Sequence, residues 1–232
     1  MKTLPYDLIP DSPQTAPMGL IVLSVDETLE LEIRQDLENC SRPLFVSRIE
    51  SSAEVSTQSL AAMEERLAAA ANLLPKTQRY PVIGYGCTSA SAVIGSDRVE
   101  KIVSSVCDVG LVTNPLRAAI AQAEEAGVSK FALLSPYVEE VNLPLRNAFQ
   151  EAGIRTDVFG TFGEPSEAKV ARISPSSILS AAVDLGADPD VEAVFISCTN
   201  LRTFGILEQI RSQLQKPVFS SNQVLSWHMR QE

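Results

Sequence analysis

Histidine is nearly missing from this chain, and that scarcity removes several chemistries at once. With His228 as the single imidazole, neither a Ser-His-Asp triad nor a Cys-His pair has support. Four cysteines occur, Cys40, Cys87, Cys107 and Cys198, but no Cys-x-x-Cys and no His cluster accompanies them, so no metal site is expected. Basic residues are also outnumbered, 19 Lys and Arg against 29 Asp and Glu, and a net charge of −10 argues against nucleic acid as a partner. The acidity itself is most simply read as a solubility device. Long apolar runs are absent too: the stretches at residues 20–23 and 131–134 are far too short to span a bilayer, so no membrane partner is expected. Met1-Lys-Thr-Leu-Pro-Tyr-Asp lacks an apolar signal core. The expected location is the cytoplasm, where thiols stay reduced. If the chain does chemistry, its thiols are the groups left to carry it.

What is present is a pattern that occurs twice. Tyr80-Pro-Val-Ile-Gly-Tyr-Gly-Cys-Thr-Ser is an apolar run of strand length that ends in Cys-Thr, and Glu192-Ala-Val-Phe-Ile-Ser-Cys-Thr-Asn repeats it. Cys87 and Cys198 stand 111 positions apart (198 − 87). Ser24 and Ser135, each closing an aliphatic run, share that offset (135 − 24), and Asn114 and Asn222 nearly share it at 108 (222 − 114). Self-similarity at one period marks a duplicated architecture.

Aliphatic strand-like runs alternate with helical periodicity from residue 20 to residue 229, which predicts α/β architecture with parallel sheets and right-handed crossovers. Two similar lobes with parallel four-stranded sheets, related by a pseudo-two-fold axis, are the simplest arrangement. The expected division is 18–117 plus 218–232 for the first lobe and 118–217 for the second. Residues 1–17, with four prolines, read as an extended arm. A single helix is expected over 56–74, and another over 203–214 directly after the second Cys-Thr turn.

Ligands of open parallel sheets bind beyond the carboxyl ends of the strands, where Cys87 and Cys198 are placed. A helix start there should lower a thiol below its free value of about 8.5. The amides and the hydroxyls of Thr88, Ser89 and Thr199 would form an anion pocket. Facing lobes would set the thiols on opposite sides of one small substrate, one removing a proton and the other returning one. The plainer alternative, buried structural cysteine, is preferred for Cys40 and Cys107, which lack the repeat context. Gly84-x-Gly86-x-x-Ser89 resembles a degraded dinucleotide fingerprint but lacks the third glycine.

With these residues in place, the chain resembles the aspartate/glutamate racemase superfamily. Within it, the likeness is to the group holding maleate cis–trans isomerase, arylmalonate decarboxylase and the ectoine-utilisation protein EutA. The resemblance rests on Gly86-Cys-Thr-Ser, Ser135-Pro-Tyr-Val-Glu-Glu-Val-Asn, Ser197-Cys-Thr-Asn-Leu-Arg-Thr and Pro217-Val-Phe-Ser-Ser-Asn-Gln. It implies flavodoxin-like lobes, an active site in the cleft between them and no cofactor. It makes Cys87 and Cys198 the catalytic thiols, and retention of both points to isomerase or racemase chemistry rather than decarboxylation. It places Thr88, Ser89 and Tyr137 around the carboxylate of a small substrate, and Thr199, Asn200 and Asn222 are further candidate contacts. By the repeat offset (137 − 26 = 111) Tyr137 stands at the position equivalent to Asp26. The plainer reading of Tyr137 is a loop ring packed on Pro136.

One departure bears on the substrate. Maleate isomerases carry an Asn after the first strand, and here Asp26 stands in the matching place. A carboxylate there repels a second substrate carboxylate and suits an ammonium group, although Asp26 is equally readable as a helix cap. The expectation is thus a racemase or isomerase of a small amino-substituted carboxylate, of the diaminobutyrate type that the ectoine-utilisation resemblance implies. Maleate isomerisation by covalent thiol addition is the alternative, and a non-catalytic small-acid-binding protein is the alternative of another class. A homo-oligomer is compatible with all three. Residues 163–167 are a loop whose share in the pocket the sequence leaves open.

Overall fold

Aliphatic runs buried on both faces should form parallel strands covered by helices on each side, and this is what the chain builds. The structure is a computed structural model that describes residues 1–10, 12 and 15–231. Strands β1 (Met18–Leu23), β2 (Leu44–Ile49), β3 (Tyr80–Gly86) and β4 (Val109–Thr113) form one parallel sheet in the order β2-β1-β3-β4. Strands β5 (Lys130–Ser135), β6 (Arg155–Thr161), β7 (Ala193–Ile196) and β8 (Val218–Ser220) form a second in the matching order β6-β5-β7-β8. Among the described residues the helices are α1 (Leu29–Asp36), α2 (Thr57–Ala61), α3 (Met63–Ala71), α4 (Thr88–Ile94), α5 (Ser96–Ser104), α6 (Pro115–Ala126), α7 (Glu139–Glu151), α8 (Glu167–Val170), α9 (Pro175–Gly186), α10 (Leu207–Leu214) and α11 (Ser221–Met229). Of the expected arm, residues 1–10, 12, 16 and 17 lie outside helices and strands, Thr15 sits in a 3-10 turn, and residues 11, 13 and 14 fall outside the described part. No helix among the described residues is long and apolar enough to cross a membrane.

The two sheets share a hydrophobic core, in which Tyr85, Leu67 and Val103 of the first half join Val141, Ile178 and Ile196 of the second. The outer faces are covered by an exchange. Helix α6 leaves the first sheet and lays Leu116, Ala119 and Ala123 against Phe131, Phe195 and Phe219 of the second half. Helix α11 makes the reverse journey, setting Leu225 and Met229 beside Leu20, Val22 and Leu29. This corrects the expected crossing at residue 218. Strand β8 stays in the second sheet, hydrogen-bonded to β7, because its Val218 and Phe219 belong to that sheet's core, and it is α11 that crosses back.

Two further expectations change. The helix over 56–74 is divided at Ala62, with Ser56 closing a capping box on Ser59 at the start of α2. The helix after the second Cys-Thr turn begins only at Leu207, because the amides of Thr203 and Phe204 are held by the buried Glu32 carboxylate at 2.6 and 3.0 Å instead of entering a helix. Glu32 also accepts from Asn222 Nδ2 at 2.7 Å and Thr203 Oγ1 at 3.2 Å, so α1 of the first half grips the second half through one carboxylate. Gly84 and Gly86, the residues of the degraded fingerprint, are explained by close approach. A Cβ at Gly86 would collide with Leu29, and one at Gly84 would lie 2.7 Å from Met229 Sδ.

Gly86→Ala should therefore destabilise the chain by about 1–3 kcal/mol through overpacking against α1, read as a lower denaturant midpoint. Glu32 gives a pH-dependent test. Burial pushes its carboxyl above the ordinary range, and its four donors only partly pull it back. A group whose value is raised by folding contributes fully below its unfolded value and loses that contribution as pH rises through the folded value. Stability should fall as pH climbs above the ordinary carboxylate range. Glu32→Gln should flatten that fall while costing about 1–3 kcal/mol for the donors it leaves unmatched, measured by denaturation midpoints between about pH 5 and pH 8.

Candidate active site

In each sheet the chain leaves the first strand toward one edge and returns on the other side of it, so the carboxyl ends of β1 and β3, and of β5 and β7, flank a topological switch point. The residues just beyond these four strands converge: Asp26 after β1, Cys87 after β3, Tyr137 after β5 and Cys198 after β7. They enclose a cavity of about 10 Å³, room for about one water molecule. Leu23, Thr88, Ser89, Glu167 and Thr199 complete its lining. Both thiols thus reach one small space, each in a residue less than a tenth exposed.

The two cysteines are held differently. Cys87 is the N-cap of α4 in extended conformation, and its Sγ accepts from the Ala90 amide at 3.3 Å. Cys198 has φ 102°, a left-handed backbone that costs a non-glycine residue about 1–3 kcal/mol and that clusters at functional sites. Its amide donates to Ser221 Oγ at 3.0 Å, and its Sγ accepts from the Asn200 amide at 3.3 Å. Ser221 Oγ also lies 2.7 Å from Thr88 Oγ1, tying the two Cys-Thr turns together across the halves. The Ser89 hydroxyl is buried without a hydrogen-bond partner among the described residues, and so is free to meet a substrate oxygen.

Two carboxylates border the same space. Asp26 Oδ1 accepts from the amides of Thr28 and Leu29 at 2.8 and 2.7 Å, capping α1, while Oδ2 accepts from Thr199 Oγ1 at 2.7 Å. The carboxylate is therefore both a helix cap and part of the cavity wall. Glu167 accepts from Tyr137 Oη at 2.7 Å and from Asn200 Nδ2 at 2.9 Å. Asn200 and Asn222 stand behind the lining rather than in it. Asn200 Oδ1 accepts from the Glu27 amide at 2.9 Å, and Asn222 Nδ2 binds Glu32 and, at 2.9 Å, the Thr199 carbonyl. The loop at 163–167 is sewn to the opposite half, with Val55 N donating to Pro165 O and Glu167 N to Ala53 O, which is how Glu167 arrives at the site.

The electrostatics overturn one expectation. Burial pushes the Cys87 thiol up to about 12, against the Ala90 amide that favours the thiolate, and the Glu167 and Asp26 carboxylates push it the same way as burial. Burial and Glu167 likewise hold Cys198 well above the ordinary thiol range. The helix start at Cys87 is too small an effect to offset full desolvation beside two acids, and Cys198 has no helix start at all. Burial also raises Asp26 and Glu167 above the usual carboxylate range. Among the described residues no Lys, Arg or His lines the cavity. No group of His, Cys, Asp and Glu side chains there is placed to hold a metal ion.

Glu167 and Ser221 were not singled out as site residues from sequence. Ser221 lies inside the quoted Pro217–Gln223 stretch, which could have drawn attention to it. Glu167 follows an irregular segment and carries no local signal.

The fold has solved counterparts. Maleate isomerase from Pseudomonas putida superposes with a TM-score of 0.79 at 19% identity, covering 93% of this chain and 92% of that one. A Nocardia farcinica maleate cis–trans isomerase variant, solved with a covalently bound succinylcysteine intermediate, gives 0.79 at 20% identity, covering 93% and 91%. A double variant of arylmalonate decarboxylase in liganded form gives 0.79 at 20%, covering 93% and 92%. These likenesses establish the two-lobed fold. Among curated proteins, none matches the chain in sequence. The arylmalonate decarboxylase family profile, by contrast, matches residues 44–232, the greater part of the molecule, and the chain belongs to that family.

Proposed function

We propose that this chain is a cofactor-independent isomerase of racemase type, acting on a small amino-substituted carboxylate with Cys87 and Cys198 as its acid–base pair. The observation that carries the reading is one cavity walled by two thiols and two carboxylates with no cationic side chain. A dianionic substrate would meet Asp26 and Glu167 with like charge, whereas an ammonium group would be drawn to them and would favour their ionised form. A diaminobutyrate-type acid, of the kind suggested by the likeness to the ectoine-utilisation branch, would supply that group.

In this reading one thiolate removes the proton from the carbon beside the substrate carboxylate. The amides at the start of α4 and the free Ser89 hydroxyl receive the enediolate oxygens. The opposite thiol returns a proton to the other face. A cavity of about 10 Å³ must widen to admit such a substrate, and the strap between residues 53–55 and 165–167 is the contact that would part.

The second reading is cis–trans isomerisation of maleate, in which one thiolate adds to the double bond, the new single bond rotates and elimination gives fumarate. It is favoured by the fold shared with the Nocardia enzyme that was solved with a succinylcysteine.

The discriminating measurement is deuterium incorporation at the α-carbon of a panel of amino acids and dicarboxylates in heavy water. Wild type should label an amino acid, and Cys87→Ala and Cys198→Ala should each lower racemisation by about 10³-fold or more. Full activity in either variant would remove the two-thiol reading. Asp26→Asn should weaken amino-acid turnover and raise fumarate formation from maleate, followed by absorbance. The opposite pattern would favour maleate as the native substrate.

A further inference from the structure

A thiolate has to form in this cavity before any proton can be taken from substrate, yet the surroundings oppose one. Desolvation and two neighbouring acids keep both sulfurs protonated. Forming a thiolate by release of a proton to solvent would add a further negative charge to a buried site whose lining carries no side-chain cation, a costly arrangement. The thiol needs an acceptor already inside.

Only one of the two thiols has such an acceptor in line. Tyr137 Oη lies 2.9 Å from Cys198 Sγ and donates its proton to Glu167 Oε1 at 2.7 Å. Because the single phenolic proton is committed to the carboxylate, the thiol is the donor in the sulfur contact. The result is a continuous line, S–H to O–H to carboxylate. Asn200 holds the far end steady. Its Oδ1 accepts from the Glu27 amide, which turns Nδ2 toward Glu167 and leaves Oε1 for Tyr137. Cys87 lacks this line: its Sγ accepts from the Ala90 amide, and among the described residues no side chain hydrogen-bonds to it.

We infer that Glu167, acting through Tyr137, is the internal proton acceptor that primes Cys198 as the base, leaving Cys87 as the thiol that protonates the opposite face. In the priming step the Cys198 S–H bond breaks as an O–H bond forms on Tyr137, and the Tyr137 O–H bond breaks as one forms on Glu167. The phenol is regenerated, Cys198 becomes a thiolate and Glu167 a neutral acid. The charge of the cavity is unchanged by the transfer; it moves from oxygen to sulfur. Burial raises the proton affinity of Glu167 and of Cys198 alike, so what favours this route over release to solvent is that the transfer leaves the buried charge unchanged. Asp26, fixed by two amides and a hydroxyl, remains the anion for a substrate ammonium. Glu167 is thus a positioning residue for the proton. The inference rests on the two-thiol reading above and gives the two thiols unequal starting roles.

The test needs no substrate. Wild type, Glu167→Gln and Tyr137→Phe are treated with limiting iodoacetamide across about pH 5 to 10, and alkylation of Cys198 is read by peptide mass spectrometry, with Cys40, which lies outside the cavity, as the reference thiol in the same sample. In wild type the Cys198 rate should rise as Glu167 ionises and then level off through neutral pH. Both variants should lose the plateau, climb about tenfold per pH unit as an ordinary thiol does, and fall at neutral pH at least tenfold relative to Cys40. A merely electrostatic Glu167 predicts the reverse sign, because removing an anion beside the sulfur favours the thiolate and speeds its alkylation. A Cys198-to-Cys40 ratio in the variants that equals or exceeds wild type would overturn the relay, and Tyr137→Phe keeps the question open to test if Glu167→Gln does not fold. Deuterium exchange into no substrate, with the plateau present and lost in the variants, would remove the racemase reading and leave the relay standing. Exchange in wild type with no plateau would remove the relay alone.

Discussion

Negative charge buried around a cavity whose lining holds no side-chain cation is the constraint around which this molecule is arranged, with the Arg48 guanidinium, bound to the Asp26 carbonyl at 2.9 Å, offsetting part of it from outside. Asp26, Glu32 and Glu167 are each almost wholly removed from solvent, and two thiols join Asp26 and Glu167 around one small cavity. A buried carboxylate is tolerated only where donors replace the lost water. Each of the three is accordingly met by amides, hydroxyls or carboxamides: Thr28, Leu29 and Thr199 for Asp26, Thr203, Phe204 and Asn222 for Glu32, and Tyr137 and Asn200 for Glu167. Dipoles hold these charges in place without neutralising them. That negative character is what the proposed amino-substituted substrate rests on.

The donors and acceptors come from opposite halves. Asp26 and Glu32 lie in the first half and take partners at residues 199–222, while Glu27 and Thr28 bind Asn200 through its side chain and its carbonyl. The exchange of α6 and α11 between the sheets supplies apolar burial to the same union. The first half could not keep Asp26 and Glu32 satisfied alone, whereas Glu167 is met within its own half, so it is the acids of the first half that join the site to the lobe interface. A further consequence is asymmetry. The repeat places the two cysteines equivalently in the chain, yet Cys87 caps a helix while Cys198 sits on a left-handed turn with Tyr137 on its sulfur. Equivalent positions with unequal environments are what an acid and a base of the same residue type require.

Much of this was legible in advance. The 111-residue offset and the aliphatic runs carried the two four-stranded sheets, since a strand buried on both faces leaves a continuous apolar signature. The Cys-Thr turns, Asp26 and Tyr137 could be named because they follow strands directly. Asn200 and Asn222 were drawn toward the substrate by sequence, whereas they stand one layer back and orient the acids. Glu167 could not be picked out, because it arrives from a four-residue helix after an irregular loop whose path is set by contacts with residues 53–55.

The amino-acid sequence by itself determined the element order, the doubling of the architecture and the pair of thiols at strand ends, all of which depend on residues near one another along the chain. Tertiary structure alone decided the protonation of those thiols, the destination of α11 as distinct from β8, and the joining of Glu167 to Tyr137 and Cys198. Desolvation and hydrogen-bond partnership depend on what lies across the cleft. Residues such as Asp26 and Thr199, distant in the chain and 2.7 Å apart in space, have no local pattern that announces their meeting.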